Sequence, residues 1–399
     1  MSKIRIAFIM TGIAYGGASK SLLYLLKSLA NHKNIETFVF AQDSNAPEIK
    51  KGIVENCSKL QIIPFPHLNC NQAYKSSSKN FQNIVKGNYN YIVREICELN
   101  IDIVHVNSTT LAYLLSEIKH YNPQIKTVTH LREVLRNPKS DEMAKYLIEK
   151  IVSYSDFNIA ISDNELVPFK ELIVGSVIPN PYDFACQKGD SELNLNNKRI
   201  KDEIVLGMMG AFNPSKGHRW FIETVKILKI QIPYLKIKGV ILGVKHSNTK
   251  LKYYVKKLLG IDYLNNIEKY IKKNKLEDNI FLMPASNSII PFLNTLDIYV
   301  RPSVAGDPWG RDIIEAMAMK KPVIATGTSD FFVKDGITGF LVPPRDPKVM
   351  ADKLLALINN PRKRKEFGEN GYKIVKEMCD LELYGDKIVS IYNKLLGRD

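Results

Sequence analysis

Short apolar stretches alternate with amphipathic stretches along nearly the whole chain. Residues Ile4–Met10 are almost all apolar, which is typical of a buried strand, and Ser19–Leu29 repeats its apolar positions at helical spacing. The same pattern predicts further strands at Thr37–Ala41, Ile101–Val106, Lys126–Thr129 and Phe157–Ile161. Strands that alternate with helices in this way indicate parallel sheets covered by helices on both faces.

The pattern then restarts after a polar run at Gly189–Lys201. A helix is predicted at Arg219–Ile230, and strands at Ile204–Met209, Ile237–Gly243, Asn279–Met283, Leu296–Arg301 and Pro322–Ala325. We therefore predict an α/β chain with two Rossmann-like domains, whose parallel sheets face a central cleft that binds ligands. The predicted boundaries are 1–185 for the first domain, 186–200 for a linker, 201–375 for the second domain and 376–399 for a C-terminal helical segment.

Composition excludes several other classes of protein. The 399 residues are 45% hydrophobic and 24% charged, values that fit a globular chain and not a disordered one. No apolar run approaches the roughly 18 residues of a membrane span, and the first residues lack the apolar core of a secretory signal. The five cysteines are dispersed and odd in number, without the spacing of a disulfide framework or a zinc site. We therefore expect a cytoplasmic protein.

The charge is less ordinary than the rest of the composition. The formal net charge is +15, and it is uneven, because residues 1–150 carry 19 basic and 12 acidic side chains and residues 201–275 carry 16 and 5. Such an excess permits nucleic acid, an anionic membrane surface or a phosphorylated ligand as a partner. Only the motifs can decide among these three.

Two glycine-containing loops each follow a predicted strand and precede a predicted helix. Gly16 and Gly17 in the first loop would let the backbone approach a ligand, and the helix behind them would favour an anion. In the second loop, Gly210–Gly217, we expect Asn213 and Lys216 to bind a phosphate group. Neither loop matches the Walker A or the G-x-G-x-x-G pattern, so a tight turn and a solvated lysine remain open alternatives.

A third loop begins where the predicted strand ends at Arg301. Its glycines and prolines lead into a helix that is predicted to start near Arg311. The first backbone N–H groups of a helix have no partner within the helix and can bind phosphate oxygens. The groups in question here belong to Trp309, Gly310 and Arg311.

Three acids accompany this third loop. Asp307 lies in the loop itself, Asp312 lies in the first turn of the predicted helix, and Glu315 lies about one turn further on. Asp312 could simply compensate the helix dipole, and Glu315 could be a solvated helix acid. However, Glu315 directly precedes Ala-Met-Ala, on a face that should be apolar, which favours a functional acid.

These segments resemble the signature of the retaining GT-B glycosyltransferases of the glycogen-synthase-like group (glycosyl transferases group 1, family 4). Members carry two carboxylates separated by seven residues, as Asp307 and Glu315 are here, followed by Ala-Met-Ala. The segments Pro322–Thr326 and Asp335–Val342 continue the resemblance. Less specific matches occur at Gly16–Gly17, Asn180–Asp183, Gly210–Gly217 and Pro302–Ser303.

The resemblance implies transfer of a sugar from a nucleotide-sugar donor, with retention of the anomeric configuration and without a metal or other cofactor. It implies an acceptor-binding first domain, a donor-binding second domain and a C-terminal helix that crosses back to the first domain. Glu315 would bind the ribose and Asp307 the donor sugar, while Lys216 would neutralise the diphosphate. His130, at a predicted strand end, would orient a hydroxyl or assist proton movement, although a lone histidine is more often structural.

Three positions depart from the family pattern. Asp307 replaces the usual glutamate, and Ala211 stands where an arginine commonly assists the lysine. Lys216 would then act with less help unless Arg311 or another cation supplies a second charge. The turn Thr328–Phe332 lacks the usual second glycine. These departures leave a catalytically weak or inactive nucleotide-sugar-binding protein as the alternative function.

Members of this family often act on lipid-linked or cell-surface polysaccharide acceptors. The basic segment Lys245–Lys275 interleaves lysines with apolar and aromatic residues, so it could bind an anionic membrane at its inner face or form a solvated helix face. No motif supports nucleic acid as a partner. A two-domain dehydrogenase is disfavoured because G-x-G-x-x-G is missing. The sequence does not identify the donor sugar, its base or the acceptor.

Overall fold

The computed structural model describes residues 3–14, 16–42, 46–63, 83–84, 87, 89–135, 141–169, 171–187, 203–244, 263–286 and 289–398. The chain forms two compact units. The first unit comprises Met1–Asp183 and Cys379–Asp399, and the second unit comprises Phe184–Met378. Positions 188–200 of the predicted linker, positions 201–202 and positions 245–262 of the basic segment lie outside the described residues.

Among its described residues, a parallel sheet of seven strands forms the centre of the first unit. In chain order, the strands are Ile4–Gly12 (β1), Ile35–Gln42 (β2), Lys59–Ile62 (β3), Ile103–Val106 (β4), Lys126–Leu131 (β5), Phe157–Ala160 (β6) and Gly175–Val177 (β7). Their spatial order is β3-β2-β1-β4-β5-β6-β7. The order reverses between β1 and β4, the point at which doubly wound sheets open a crevice for ligands.

Both faces of this sheet are buried. Ala7 and Ile9 enter one core cluster, whereas Ile6 and Phe8 enter the other, because successive strand side chains point to opposite faces. The described helices of the 1–183 segment are Gly17–Leu29 (α1), Pro47–Glu55 (α2), Asn90–Cys97 (α3), Leu114–Tyr121 (α4), Glu142–Tyr154 (α5) and Asp163–Leu166 (α6).

The described residues of the second unit form a parallel sheet of six strands on the same plan. The strands are Glu203–Met209 (β8), Lys236–Val244 (β9), Ile280–Pro284 (β10), Ile298–Arg301 (β11), Val323–Thr326 (β12) and Gly339–Val342 (β13). Their order is β10-β9-β8-β11-β12-β13, so the reversal lies between β8 and β11. The helices are His218–Gln231 (α7), Tyr263–Lys273 (α8), Ile290–Thr295 (α9), Arg311–Ala318 (α10), Pro347–Ile358 (α11) and Pro361–Cys379 (α12).

The last helix, Leu381–Leu395 (α13), belongs to the first unit and packs against α1. Asp380 caps its N-terminus by accepting hydrogen bonds from the backbone N–H groups of Glu382 and Leu383. A Cβ atom at Gly385 would lie 1.7 Å from Ser28 Oγ, so the absence of a side chain there permits the close approach of the two helices. The buried side chains of α13 complete the core on that face of the sheet.

The predicted α/β class with parallel sheets is confirmed in both units. Three strands, β3, β7 and β13, were not predicted. All three lie at a sheet edge, and β3 and β7 are too short and too exposed to produce an apolar run.

Candidate functional site in the second unit and its counterpart in the first

The loops that follow β8 and β11 are joined directly to each other. The backbone N–H of Val304 donates to the carbonyl oxygen of Ser215 at 2.9 Å. Gly217 has a φ of +80°, and a Cβ atom there would lie 1.7 Å from the carbonyl oxygen of Pro302. Any other residue would therefore separate the two loops, which lie at the carboxyl ends of the strands beside the point of reversal.

Lys216 is half-buried and lies against the backbone of Gly210. A Cβ atom at Gly210 would be 3.5 Å from Lys216 Cγ. Burial lowers the pKa of Lys216, and the positive charge of Arg301 lowers it further, while Asp312 and Asp307 act in the opposite direction. Lys216 thus lies in the electrostatic field of one cation and two anions, which argues against the solvated loop lysine that the sequence left open.

Arg301 holds this cluster together, and the sequence did not single it out as a site residue. Its Nη1 forms an ion pair with Asp312 Oδ1, and its Nε donates to the backbone carbonyl of Asp307 at 2.7 Å. The hydroxyl of Tyr299 donates to the other oxygen of Asp312 at 2.8 Å and accepts from the backbone N–H of Met209 at 3.3 Å. Arg301 therefore orients both the acid of helix α10 and the peptide of Asp307.

Both oxygens of Asp312 are engaged by these contacts. Although burial opposes ionisation, Arg301 and Lys216 hold the pKa of Asp312 below its usual range. Gly310, with a φ of +151°, precedes α10, and a Cβ atom there would lie 2.7 Å from Asp312 Oδ1 and 2.9 Å from Arg301 Nη1. Asp312 thus holds Arg301 in place. The sequence had suggested two other roles for Asp312, namely compensation of the helix dipole and direct binding of the donor.

Helix α10 begins at Arg311, as predicted, directly after Trp309 and Gly310. Glu315 is 5% exposed although it is an acid, which argues against the solvated helix acid that the sequence left open. Arg311 Nε lies 3.2 Å from Glu315 Oε1, four residues along the helix. Arg311 consequently balances Glu315, and the second cation whose charge acts on Lys216 is Arg301.

Asp307 lies in the loop after β11 and Asn213 in the loop after β8, and the two side chains have different roles. Asp307 is half-buried, and its carboxylate acts on both Lys216 and Arg301. Asn213 caps the short 3₁₀ turn Pro214–Lys216, where its Oδ1 accepts from the N–H of Ser215 at 3.1 Å. This hydrogen bond gives Asn213 a structural part in positioning Lys216.

In the first unit, Gly16 and Gly17 precede and begin α1. A Cβ atom at either position would meet nothing within 4 Å, and Gly16 has an extended backbone with a φ of −127°. Neither glycine is therefore demanded by packing against the described residues. The N–H of Gly16 donates to the carbonyl oxygen of Ala14 at 2.8 Å, so the backbone turns tightly here, as the tight-turn alternative expects.

His130 lies near the carboxyl end of β5 and is fully buried. Its Nδ1 is 3.3 Å from Arg132 Nη2 and 3.2 Å from His105 Nε2. Arg132 in turn contacts Asn107 and Asn180. His130 and the glycine pair belong to the first unit, whereas all the other predicted site residues belong to the second unit.

The geometry of the second unit agrees with a family match over the same part of the chain. Residues 190–374 match the family described as glycosyl transferases group 1. This part of the chain is thus similar to the group 1 glycosyltransferases. The N-terminal residues lie outside that match, but several relatives extend the likeness beyond it.

Two curated relatives illustrate the range of similarity of the chain to known glycosyltransferases. The capsular polysaccharide biosynthesis glycosyltransferase CapM of Staphylococcus aureus is 28% identical over 202 residues, which are 50% of this chain and 48% of CapM. The chain thus aligns with about half the length of CapM. An uncharacterized glycosyltransferase of Methanocaldococcus jannaschii is 23% identical over 401 residues, which are 96% of this chain and 95% of the relative.

Among solved structures, Anabaena HepE in complex with UDP and glucose superposes with a TM-score of 0.77 at 19% identity. The match covers 98% of this chain and 100% of HepE. The predicted GT-B fold is confirmed by this likeness. Among the described helices of the chain, none combines the length and the apolar character that crossing a membrane requires. Its described residues also contain no cluster of three or more His, Cys, Asp or Glu side chains arranged to hold a metal ion.

Proposed function

We propose that this protein is a retaining glycosyltransferase that moves a sugar from a nucleotide-diphosphate sugar to a glycan, lipid-linked or cell-surface polysaccharide acceptor. The observation that carries the proposal is the joined pair of loops that brings Lys216 and Arg301 into one electrostatic cluster beside Asp307. Two cations at the carboxyl ends of parallel strands suit a diphosphate. The UDP and glucose bound to HepE and the capsular polysaccharide in the name of CapM support the donor and acceptor classes.

In this proposal the second unit binds the donor. Lys216 and Arg301 stabilise the negative charge that develops on the diphosphate as the glycosidic bond breaks. Asp307 contacts the donor sugar, and Glu315, oriented by Arg311, binds the ribose. Backbone N–H groups around Gly310 donate further hydrogen bonds to the phosphates. The first unit binds the acceptor, Gly16 and Gly17 give a ligand room to approach, and His130 contacts a sugar oxygen.

Lys216 and Arg301 place positive charge beside the proposed diphosphate position, with Arg301 also paired to Asp312, and we propose a reaction without metal or other cofactor. Transfer should persist after EDTA treatment and exhaustive dialysis, with kcat unchanged. A loss of activity that Mg²⁺ or Mn²⁺ restores would contradict this part of the proposal.

The main test measures hydrolysis and transfer by the purified protein with UDP-, GDP- and ADP-sugars and a panel of glycan acceptors. At least one donor should be turned over, and NMR should show the product with the anomeric configuration of the donor. Lys216→Ala should lower kcat by roughly 10²- to 10³-fold, the range for removal of one charge-stabilising group. Glu315→Gln should mainly raise the donor KM.

The competing function is nucleotide-sugar binding without catalysis. Its support was the replacement of the family glutamate by Asp307 and of the family arginine by Ala211, but Arg301 supplies a second cation next to Lys216. Calorimetry would separate the two functions. Tight donor binding without turnover in any acceptor panel would favour the binding protein. If neither donor binding nor turnover were detected, both functions would be excluded.

A peripheral position at the inner face of the cell membrane is proposed for the same enzyme. Helix α8 buries Leu264 and Ile267 and exposes Lys269, Lys272 and Lys273, so one of its faces is basic. Anionic lipids attract such a face by about 1 kcal/mol for each lysine near the membrane surface. Sedimentation with phosphatidylglycerol vesicles, compared with phosphatidylcholine vesicles, should show salt-sensitive binding only to the former.

A further inference from the structure

A continuous row of three buried side chains links the last helix to the sheet of the first unit. Tyr392 on α13 places its hydroxyl 2.6 Å from His105 Nδ1 in β4, and His105 Nε2 lies 3.2 Å from His130 Nδ1 in β5. All three side chains are fully buried. Because each histidine nitrogen either donates or accepts, the direction of these hydrogen bonds determines which nitrogen carries the proton.

Arg132 sets that direction at one end of the row. A guanidinium only donates, and its Nη2 lies 3.3 Å from His130 Nδ1. His130 Nδ1 must therefore accept, which places the ring proton on Nε2. Arg132 is fixed in this orientation by two asparagines, since its Nη2 donates to Asn107 Oδ1 at 2.9 Å and its Nη1 to Asn180 Oδ1 at 2.5 Å.

The remaining directions follow from this one. Since His130 Nδ1 carries no proton, His105 Nε2 must donate to it, and His105 Nδ1 is left as an acceptor. The hydroxyl of Tyr392 then donates to His105 Nδ1. His130 Nδ1 has a single lone pair, which His105 Nε2 and Arg132 Nη2 share at 3.2 and 3.3 Å, and the row ends in an N–H at His130 Nε2.

The charges around the row keep both rings neutral. Burial and then Arg132 lower the pKa of His105 to about 3 and hold the pKa of His130 well below its usual range. Burial raises the pKa of the Tyr392 hydroxyl well above its usual range, so it keeps its proton and can donate. A neutral His130 with a protonated Nε2 is a hydrogen-bond donor and not a base.

His130 Nε2 is a buried atom that has no hydrogen-bond partner among the described residues of the protein. A buried N–H without a partner is costly, and such an atom near the carboxyl end of a strand calls for a ligand. Resting on the proposed function, we propose that Tyr392, acting through His105 and together with Arg132, holds His130 as the Nε2–H tautomer, which donates a hydrogen bond to an oxygen of a bound sugar. Tyr392 and His105 are positioning residues in this scheme, and His130 contacts the substrate.

Histidine tautomers can be read without any substrate, by long-range ¹H–¹⁵N correlation spectra of the full-length protein labelled with ¹⁵N-histidine. The spectrum of His130→Gln assigns the His130 signals. We expect both His105 and His130 to be protonated at Nε2 alone between pH 6 and 8. A proton on His130 Nδ1, or a positively charged ring, would overturn the proposal.

The role of the last helix is tested by Tyr392→Phe, with Tyr384→Phe as the matched control. Tyr384 is also a buried tyrosine of α13, but it lies outside the row of hydrogen bonds. Tyr392→Phe should allow His105 to populate the Nδ1–H form and should lower kcat by roughly 3- to 10-fold, about the worth of one hydrogen bond. Tyr384→Phe should leave both tautomers unchanged. Equal spectra for the two variants would overturn the positioning role.

The contact with sugar is tested with the substrates that give turnover, by comparing each with its deoxy analogues. Removal of one particular oxygen should cost the wild type about 10-fold in kcat/KM and should cost His130→Ala nothing. His130→Gln, whose amide can donate from a similar position, should recover part of the lost rate. If the tautomers are as expected but no analogue shows this coupling, the sugar contact is wrong. If no donor is turned over at all, the proposed function has failed while the tautomers stand on their own.

Discussion

The two units share one plan and differ in how they place polar groups inside it. Each has a parallel sheet whose strand order reverses beside its first strand, and in each the notable side chains lie at the carboxyl ends of neighbouring strands. In the second unit these side chains are acidic or basic and interact through their charges, namely Lys216, Arg301 and Asp312. In the first unit they are the neutral rings of His105 and His130.

This difference shows two ways of keeping polar groups in a dry interior. An ion pair such as Arg301–Asp312 tolerates burial only while both partners and their hydrogen bonds remain in place. A neutral row avoids the desolvation of charge but requires each donor to face an acceptor, so it depends on tautomers. The charged arrangement suits a diphosphate, and the neutral arrangement suits the hydroxyl groups of a sugar.

The largest effect is expected when the charged arrangement is broken by Arg301→Met. The variant leaves Asp312 in the interior without its cation and releases the backbone of Asp307. Loss of one partner of a buried pair typically costs about 3–5 kcal/mol, and we expect a loss of that size in the free energy of unfolding. We also expect kcat/KM for the donor to fall by roughly 100-fold, measured by urea unfolding and steady-state kinetics.

A double variant separates stability from catalysis in this prediction. Arg301→Met with Asp312→Asn removes both charges, and the hydroxyl of Tyr299 can still donate to the amide oxygen of the substituted side chain. The double variant should recover more than half of the free energy of unfolding that Arg301→Met loses. Its activity should stay low because the second cation is absent. If Arg301→Met alone left stability unchanged, the second unit would not depend on fixed charge, and the contrast between the units would be wrong.

The next largest effect is expected on acidification, and it should be greater in the first unit. The pKa of His105 is lowered to about 3, that of His130 lies well below its usual range, and in the second unit burial lowers the pKa of His218 to about 4. Because these pKa values are depressed in the folded state, the unfolded chain binds more protons below about pH 6.5. The stability that the neutral rings contribute is therefore complete above that pH and is lost as the pH falls.

Each such histidine lowers the free energy of unfolding by about 1.4 kcal/mol for each pH unit below about 6.5. At pH 5 the first unit should lose about 4 kcal/mol and the second about 2 kcal/mol. Hydrogen exchange in urea, measured at pH 7 and pH 5 and corrected for intrinsic rates, would report on β4 and β5 separately from β8 and β11. His130→Gln should halve the acid sensitivity of the first unit. Equal sensitivity of the two units in the wild type would contradict the neutral row.

The sequence predicted those parts of this contrast that short segments encode. Glu315 and Lys216 were proposed as site residues because each lies in a local motif, and the apolar neighbours of Glu315 argued against a solvated acid. Arg301 was not identified from the sequence. Its role depends on the ion pair that it forms, from the end of β11, with Asp312 in the first turn of α10. The contact between His105 and Tyr392 joins residues 287 positions apart, so no local pattern can reveal it.

The smallest effect is expected from restoring the family arginine at position 211. Ala211 is exposed in the loop that carries Lys216, and an exposed charge is worth about 0–1 kcal/mol. Since Arg301 already supplies a second cation, Ala211→Arg should improve the donor KM by less than about 5-fold and leave kcat unchanged. In the Arg301→Met background the same change should recover a larger share of kcat/KM, because the diphosphate then lacks that cation. Ala211→Lys is the control, because it adds the same charge without the planar guanidinium group and its paired N–H donors. A large gain in the wild-type background, or no greater gain in the Arg301→Met background, would show that Arg301 stabilises the fold of the second unit without acting on the donor.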